Sequence, residues 1–451
     1  MDTKIAFSNR DLKSLIIPLI IEQVLAITVG IADTIMASSL GAAAVSSVSL
    51  VDMINVLLIN ILAALATGGA VVASQYLGAR QREKACISAN QLLTVTVLFS
   101  VIIMIISLVF RAQILRLFFG DIDDDVMRNA MICFGFSALS YPSIGLYNAC
   151  AALFRVMGSS RVPMFSGLII NILNIAGNAI CIFGLHMGVE GVSIPPLVSR
   201  TVGALILLFM IVNPKRDIYV KRRNFIPDFG SIRKILQIGI PSGLENSMFQ
   251  LGRILVVSII ATFGTVQIAA NAVANNLDSL GCIPGQAISL AMITVVGRCI
   301  GAGDYDQVRY YVKKLLKIAY AATIGLNIVI LAFMPLILKV YDLSPETIRL
   351  ATILVLIHDG IAMILWPLSF TLPNALRAAS DVRFTMFVSI GSMLFFRIVF
   401  SYLLGIVLGY GAIGVWIAMI MDWVCRSAFF VLRFRSGRWT TKYVPDRPVS
   451  V

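Results

Sequence analysis

The sequence has little charge and almost no histidine. Only 13% of its 451 residues are charged and two are histidine, whereas 59% are hydrophobic. Soluble globular domains carry about 25% charged residues, so a soluble fold could not hide this much apolar surface. The chain also lacks the motifs G-x-x-x-x-G-K-[ST], H-E-x-x-H and G-x-S-x-G. These absences exclude a P-loop ATPase and common hydrolases, and we predict neither an enzyme nor an organic cofactor.

Cysteine is present without any recognisable organisation. The seven cysteines form no C-x-x-C pair and no Cys/His metal spacing. We interpret them as reduced packing residues and predict no metal site from this pattern. The net charge of +13 resides in short loops between apolar runs, a distribution that membrane topology explains. We therefore predict that the chain lies in a lipid bilayer and does not bind nucleic acid.

Long apolar runs dominate the rest of the sequence. A spanning helix needs about 20 mostly apolar residues, and the chain offers twelve such segments. They cover residues 15–39, 48–74, 88–110, 130–153, 163–185, 189–213, 235–262, 268–297, 308–338, 348–372, 384–408 and 412–432. The predicted fold is therefore an all-α integral membrane protein with twelve transmembrane helices.

Basic residues are distributed unequally between the two sides of these spans. The termini and even-numbered loops hold 27 Lys and Arg residues, and the odd-numbered loops hold 5. Cytoplasmic loops carry the excess of Lys and Arg. We therefore predict a multi-pass protein of the inner or plasma membrane with both termini in the cytoplasm.

The chain also repeats itself. Pro18, Glu22 and Gly41 recur as Pro241, Glu245 and Gly264, at a constant offset of 223. Each half has six spans that start on the same side, so the repeats are parallel, with a central cavity expected between two lobes. We predict an N-lobe over 1–213, a basic cytoplasmic linker over 214–234, a C-lobe over 235–434 and a cytoplasmic tail over 435–451.

The first predicted helix carries two carboxylates, Glu22 and Asp33. Eleven residues at about 100° each leave them about 20° apart around the helix and about 16 Å apart along it. Ionisable side chains within hydrocarbon cost about 2.5–3.5 kcal/mol and are functional candidates by default. We predict that both line a cavity, and that Glu22 and its repeat partner Glu245 form a pair near the inner mouth of this cavity. The alternatives are a structural pairing of Asp33 with a buried arginine, and stabilisation of the lobe interface by Glu22 and its repeat partner Glu245.

Other polar side chains share helix faces. In the fifth predicted helix these are Asn171, Asn174 and Asn178, and in the eighth they are Asn271, Asn275 and Asp278. The eighth-helix set is predicted to line a substrate pathway, and inter-helix hydrogen bonding is the alternative. Arg200 lies near the middle of the sixth helix, where it either pairs with a carboxylate or meets an anionic substrate. His358 beside Asp359 is interpreted as structural, with a proton path as the alternative.

Several segments resemble the multidrug and toxic compound extrusion (MATE) family of the prokaryotic NorM/DinF-like kind. They are IADTIMASSLGAAAVSSVSL, SQYLGARQREKA, FRVMGSSRVPM and LRAASDVRFTM. The resemblance covers essentially the whole chain. One departure is Ser380, which stands where the family usually has glycine and is expected to be tolerated.

The resemblance implies a secondary transporter that exports small organic compounds by antiport with H⁺ or Na⁺ through alternating access. It implies that Asp33 and Asn174 belong to a cation-coupling site, together with Asn178, where many relatives have aspartate. Pro196 falls where some relatives have a cation-ligating threonine. A slight excess of acids over arginines within the spans favours cationic or amphipathic substrates, and the chain is expected to act as a monomer. The alternatives are a flippase of lipid-linked saccharides and a membrane-embedded enzyme or receptor.

Overall fold

The computed structural model describes residues 7–120, 122–220, 226–341 and 343–444. Every regular element in these ranges is helical. Five of the 27 basic residues counted above lie outside the described part, namely Lys4, Lys221, Arg222, Arg223 and Arg447. The same is true of part of the predicted linker and of the end of the predicted tail.

Seven α-helices fill the first part of the chain. They are α1 (Asn9–Ser38), α2 (Ala42–Gly78), α3 (Arg82–Val109), α4 (Arg111–Phe119), α5 (Asp124–Val156), α6 (Arg161–Ala179) and α7 (Glu190–Ile211). The chain continues from α6 through a π-helical turn, Ile180–Gly184. Helix α4 is a short addition that hydropathy did not predict, because it has nine residues and includes two arginines.

The second part of the chain contains nine further α-helical segments. They are α8 (Phe229–Ala261), α9 (Thr265–Gly281), α10 (Ile283–Gly301), α11 (Tyr305–Val340), α12 (Pro345–Trp366), α13 (Leu372–Ala378), α14 (Val382–Ser392), α15 (Phe400–Tyr402) and α16 (Gly411–Arg435). The π-helical turn Pro367–Thr371 joins α12 to α13, and the π-helical turn Met393–Val399 joins α14 to α15. A third π-helical turn, Leu403–Val407, extends α15.

Twelve helical segments of the described chain are long and apolar enough to cross a bilayer, which confirms the predicted number of spans. The eighth predicted span, 268–297, is wrong as one continuous helix, because it is broken at Gly281 and Cys282 into α9 and α10. Pro284 lies in the first turn of α10, where a missing N–H costs nothing and favours a new helix start.

The turns of the two repeats share backbone conformations. Positive φ angles recur at positions that are 222 or 223 residues apart. The pairs are Gly41 and Gly264 (both 96°), Arg80 (58°) and Gly303 (73°), Gly158 (77°) and Ser380 (65°), and His186 (50°) and Gly409 (72°). Positive φ is uncommon outside glycine. The sequence repeat is therefore a repeat of turn geometry, even where the residue types have diverged.

The chain divides into two compact units, with the division inside α8 between Gly243 and Leu244. The N-terminal unit, Phe7–Gly243, has a core that includes Leu62, Phe134 and Tyr141. The described part of the C-terminal unit, 244–444, has a core that includes Leu354 and Trp416. The lobe and linker boundaries inferred from the sequence remain predictions.

The first residues of the predicted linker are fixed to the N-terminal unit by Arg82. Its guanidinium donates to the backbone carbonyls of Pro214, Arg216 and Asp217 at 2.5–3.2 Å. Its positive charge also lies 5.5 Å from the ring centre of Tyr219. The start of the linker is thus a packed segment of the unit.

Candidate functional site

Asp33 is the centre of the candidate cation site. Its Oδ1 atom accepts hydrogen bonds from the amide nitrogens of Asn174, at 2.6 Å, and Asn178, at 2.7 Å. Both asparagines are buried in α6, and Asp33 is half-buried in α1. The spacing of four residues places both amides on one face of α6, and this face packs against α1. The three residues that the sequence assigned to a coupling site therefore lie in contact.

Asn171, one turn earlier on the same face, has a structural role. Its amide nitrogen donates to the backbone carbonyl of Leu25 at 2.8 Å. This bond fixes the register of α6 on α1 at Leu25, which precedes Asp33 in α1, and so it positions Asn174 and Asn178.

Asp33 borders a polar cavity within the N-terminal unit. The cavity is also lined by Asp52, Asn55, Ser140, Pro196 and Arg200. The guanidinium of Arg200 donates to Ser140 Oγ at 3.1 Å, and its charge acts on both Asp33 and Asp52. Two carboxylates and one guanidinium leave this cavity with a net negative charge when all three groups are ionised.

Glu22, predicted to lie near a cavity mouth, forms an ion pair with Arg155 at the end of α5, with Nη2 and Oε1 2.5 Å apart. Its repeat partner Glu245 forms the corresponding pair with Arg377 at 2.7 Å, and Arg426 lies 3.8 Å away. In each unit, the first helix is thereby tied to the end of the fourth span.

The predicted substrate-pathway residues of the eighth span divide between two kinds of contact. Asn271 accepts a hydrogen bond from Trp416 Nε1 at 2.9 Å, and Asn275 donates to the Asn271 carbonyl at 2.8 Å. Asp278 lies 3.2 Å from Nδ1 of His358. The first bond therefore joins α9 to α16, and the second lies within α9. The third residue joins a cluster of ionisable groups.

Arg155 and Arg377 were not among the residues selected from the sequence. Each begins an Arg-x-x-Gly-like turn, and the two are related by an offset of 222, close to the 223 that relates Glu22 and Glu245. The signal in the sequence was that both repeats carry a glutamate and an arginine at matching positions. A search for such recurring pairs of opposite charge identifies these two ion pairs.

Long apolar helices in two repeats, with a carboxylate-lined polar cavity within one of them, define a polytopic membrane transporter. The MatE family model matches residues 18–180 and again 241–403, at the same offset of 223 as the internal repeat. The chain belongs to the MatE family of multidrug and toxic compound extrusion transporters.

Relatives and structures agree over nearly the whole length. The chain is 30% identical to "Uncharacterized transporter YisQ" of Bacillus subtilis over 438 residues, 95% of this chain and 94% of that protein. It is 26% identical to "Probable multidrug resistance protein NorM" of Thermotoga maritima, over 97% and 95%. An outward-facing structure of a multidrug resistance MATE transporter matches with a TM-score of 0.89 and 21% identity, over 95% of this chain and 96% of that one.

Proposed function

We propose that this transporter exports small cationic or amphipathic organic compounds in exchange for H⁺ or Na⁺, and that Asp33 is the carboxylate through which the coupling cation acts. The observation that carries the proposal is the contact of Asp33 with two buried amides beside a polar cavity. A carboxylate held in this way can exchange one positive partner for another as its surroundings change.

The charge of the cavity supports the proposed substrate class. Asp33 and Asp52 face it with Arg200 as their basic neighbour, so a cationic compound would gain from the residual negative charge. One coupling cation crossing the membrane supplies about 2.3 kcal/mol per 100 mV, which is enough for a modest concentrative export.

The proposed setting is a bacterial-type inner or plasma membrane with both termini in the cytoplasm, a monomeric protein and no cofactor apart from the coupling ion. The lipid-linked saccharide flippase is the less favoured alternative, because the family match and the curated relatives point to multidrug transporters.

The test is antiport in proteoliposomes loaded with a fluorescent cationic dye, under separately imposed Na⁺ and pH gradients. We expect one gradient to drive dye movement, and Asp33→Asn to reduce it to the level of liposomes without protein. Asp125→Asn is the matched control, because this carboxylate forms an exposed surface pair with Arg128. Gradient-driven transport that is unchanged in Asp33→Asn would show that the coupling proposal is wrong.

A further inference from the structure

One side of α11, near the start of this helix, is strongly basic. It holds Tyr310, Lys313, Lys314 and Lys317, and side chains three, four and seven residues apart lie on one side of a helix. Lys313 and Lys317 are exposed, and neither has a hydrogen bond or ion pair within the described residues. Lys314 Nζ donates to the hydroxyl of Tyr310 at 3.4 Å. We call these four residues the α11 basic face.

The positive charges of this face are not compensated by the described part of the protein. Lys317 lies four residues from Lys313 and three from Lys314, and like charges at these spacings destabilise a helix. Arg309, one turn earlier, differs from them because it forms an ion pair with Asp306 at 3.0 Å. The clustering of the three lysines therefore indicates an anionic ligand that offsets their repulsion.

The sequence of α11 determines the depth of this face in the bilayer. Residues 318–338 include no charged side chain, and these 21 residues form about 31 Å of helix, which matches a hydrocarbon core of about 30 Å. Lys317 thus lies at the edge of the core, and Lys313 lies about 6 Å farther out. The headgroup region extends about 5–7 Å on each side of the core. The three lysines therefore lie at the depth of phospholipid headgroups.

The same side of α11 is apolar and exposed beyond the lysines. Ala321 and Ile328 are both exposed. They follow Lys317 by four and eleven residues, and so they lie within about 40° of it around the helix. Exposed apolar side chains inside the hydrocarbon core contact lipid acyl chains. The α11 basic face therefore continues into a lipid-facing apolar surface.

The N-terminal repeat shows that the fold does not require these lysines. At the offset of 223, Lys313 and Lys314 correspond to Asn90 and Gln91 of α3, which are neutral and buried. Gln91 Nε2 donates to the backbone carbonyl of Ile226 at 2.8 Å, so the linker after the sixth span covers this side of α3. Membrane orientation depends on the summed Lys and Arg of short loops, and it does not require a cluster at this place on a helix.

The described part of the chain after the twelfth span repeats the beginning of that covering. The hydroxyl of Tyr305 donates to the backbone carbonyl of Thr440 at 3.1 Å. Both partners match, at the offset of 223, the bond from Arg82 to the carbonyl of Asp217. Residues 445–451 follow in the sequence with one aspartate and one arginine, and so they have no net side-chain charge. This segment complements three lysines poorly, and we expect their partner to come from outside the chain.

We propose that the α11 basic face binds the headgroup phosphate of an anionic phospholipid, such as phosphatidylglycerol, whose acyl chains lie against Ala321 and Ile328. Lysine binds phosphate as a point charge, and basic residues at the membrane surface attract anionic lipids. A zwitterionic phospholipid also carries a positive group, so it gains less from the lysines. This inference goes beyond the proposed export function and does not depend on Asp33.

The test uses the full-length protein in a neutral detergent, titrated with phosphatidylglycerol or with phosphatidylcholine, and native mass spectrometry counts the bound lipid. We expect the wild type to bind phosphatidylglycerol more tightly. In Lys313→Gln/Lys317→Gln the affinity for this lipid is expected to fall about 25-fold, about fivefold for each lysine. The matched control is Lys13→Gln/Lys215→Gln, which removes the same charge from two exposed lysines of the N-terminal unit and retains the selectivity.

Unfolding temperatures provide a second measurement on the same variants. The four substituted lysines are exposed, so both double variants are expected to unfold at the temperature of the wild type when no lipid is added. Phosphatidylglycerol is expected to raise this temperature for the wild type and the control, and to leave it unchanged for Lys313→Gln/Lys317→Gln. Equal binding of the two lipids by the wild type, or unchanged affinity in that variant, would overturn the proposal.

Two further experiments separate a lipid from other occupants of this face. Glycerol phosphate, which has the headgroup chemistry without acyl chains, is expected not to displace phosphatidylglycerol. Displacement at comparable concentrations would assign the face to a free phosphate compound and overturn the proposal. A variant that ends at Val444 is expected to bind phosphatidylglycerol as the full chain does. Selectivity that appears only in this shortened variant would assign the face to residues 445–451, which would also overturn it.

Discussion

Ser380 holds a left-handed backbone conformation at a turn where its repeat partner, Gly158, does the same. The two φ angles are 65° and 77°. The sequence comparison suggested that serine is tolerated at this position, and the structure shows what it must tolerate. A residue with a Cβ atom pays a steric cost there that glycine avoids.

Ser380→Gly is therefore expected to stabilise the protein, by about 1 kcal/mol for one relieved left-handed residue. The reverse change, Gly158→Ser, is expected to destabilise it by a similar amount. The measurement is the unfolding temperature of each purified variant in detergent. A lower unfolding temperature for Ser380→Gly would mean that contacts of the serine side chain outweigh the backbone strain.

At the residue scale, helical periodicity predicted which side chains share a helix face, and their role in coupling stays a prediction. Asn174 and Asn178 share a face of one helix, and the family resemblance placed them with Asp33; the structure brings these three together. The prediction from the sequence missed the pairing of Glu22 with Arg155. Periodicity describes one helix at a time and does not say which distant helix lies opposite a given side chain.

Each unit has one ion pair that joins two of its helices, and the two ion pairs are equivalent in the repeat. Glu22–Arg155 ties α1 to the end of α5, and Glu245–Arg377 ties α8 to α13. Glu245 differs in having a second arginine, Arg426, at 3.8 Å. Removing one partner of a buried pair leaves an uncompensated charge, which costs about 3–5 kcal/mol.

Arg155→Met is accordingly expected to destabilise the protein more than Arg377→Met, because Glu245 keeps a nearby guanidinium in the second variant. Chemical unfolding of both variants in detergent provides the comparison. Adding Glu22→Gln to Arg155→Met is expected to recover part of the loss, as the unpaired charge is then absent. Equal losses for the two arginine variants would contradict the compensating role of Arg426.

Element boundaries could be predicted only in part. Hydropathy identified twelve spans because it averages over about 20 residues, and the same averaging hid the break at Gly281 and Cys282. The π-helical turns, such as Pro367–Thr371, were also missed. One inserted residue in a helix changes the hydrogen-bond register but hardly alters composition. Helix α4 is too short and too basic for a hydropathy window.

For the whole molecule, the distribution of basic residues predicts orientation. Asp125 and Asp306 form a matched pair of probes, since each is exposed and pairs with an arginine three residues later. The first belongs to a predicted outer loop, and the second to a predicted cytoplasmic one.

In a cysteine-free background, a membrane-impermeant thiol reagent is expected to label Asp125→Cys in intact cells. Asp306→Cys is expected to react only after the membrane is opened, because the loops rich in Lys and Arg face the cytoplasm. Labelling intensity on gels measures both. Reaction of Asp306→Cys from outside would reverse the predicted topology.

The shared positive φ angles at Arg80 and Gly303 and at His186 and Gly409 leave the two halves free to differ elsewhere. Because these turns direct the chain in the same way in both halves, the helix interiors can carry different polar groups on one framework. One half has a carboxylate held by two amides, and the other has a histidine beside two aspartates.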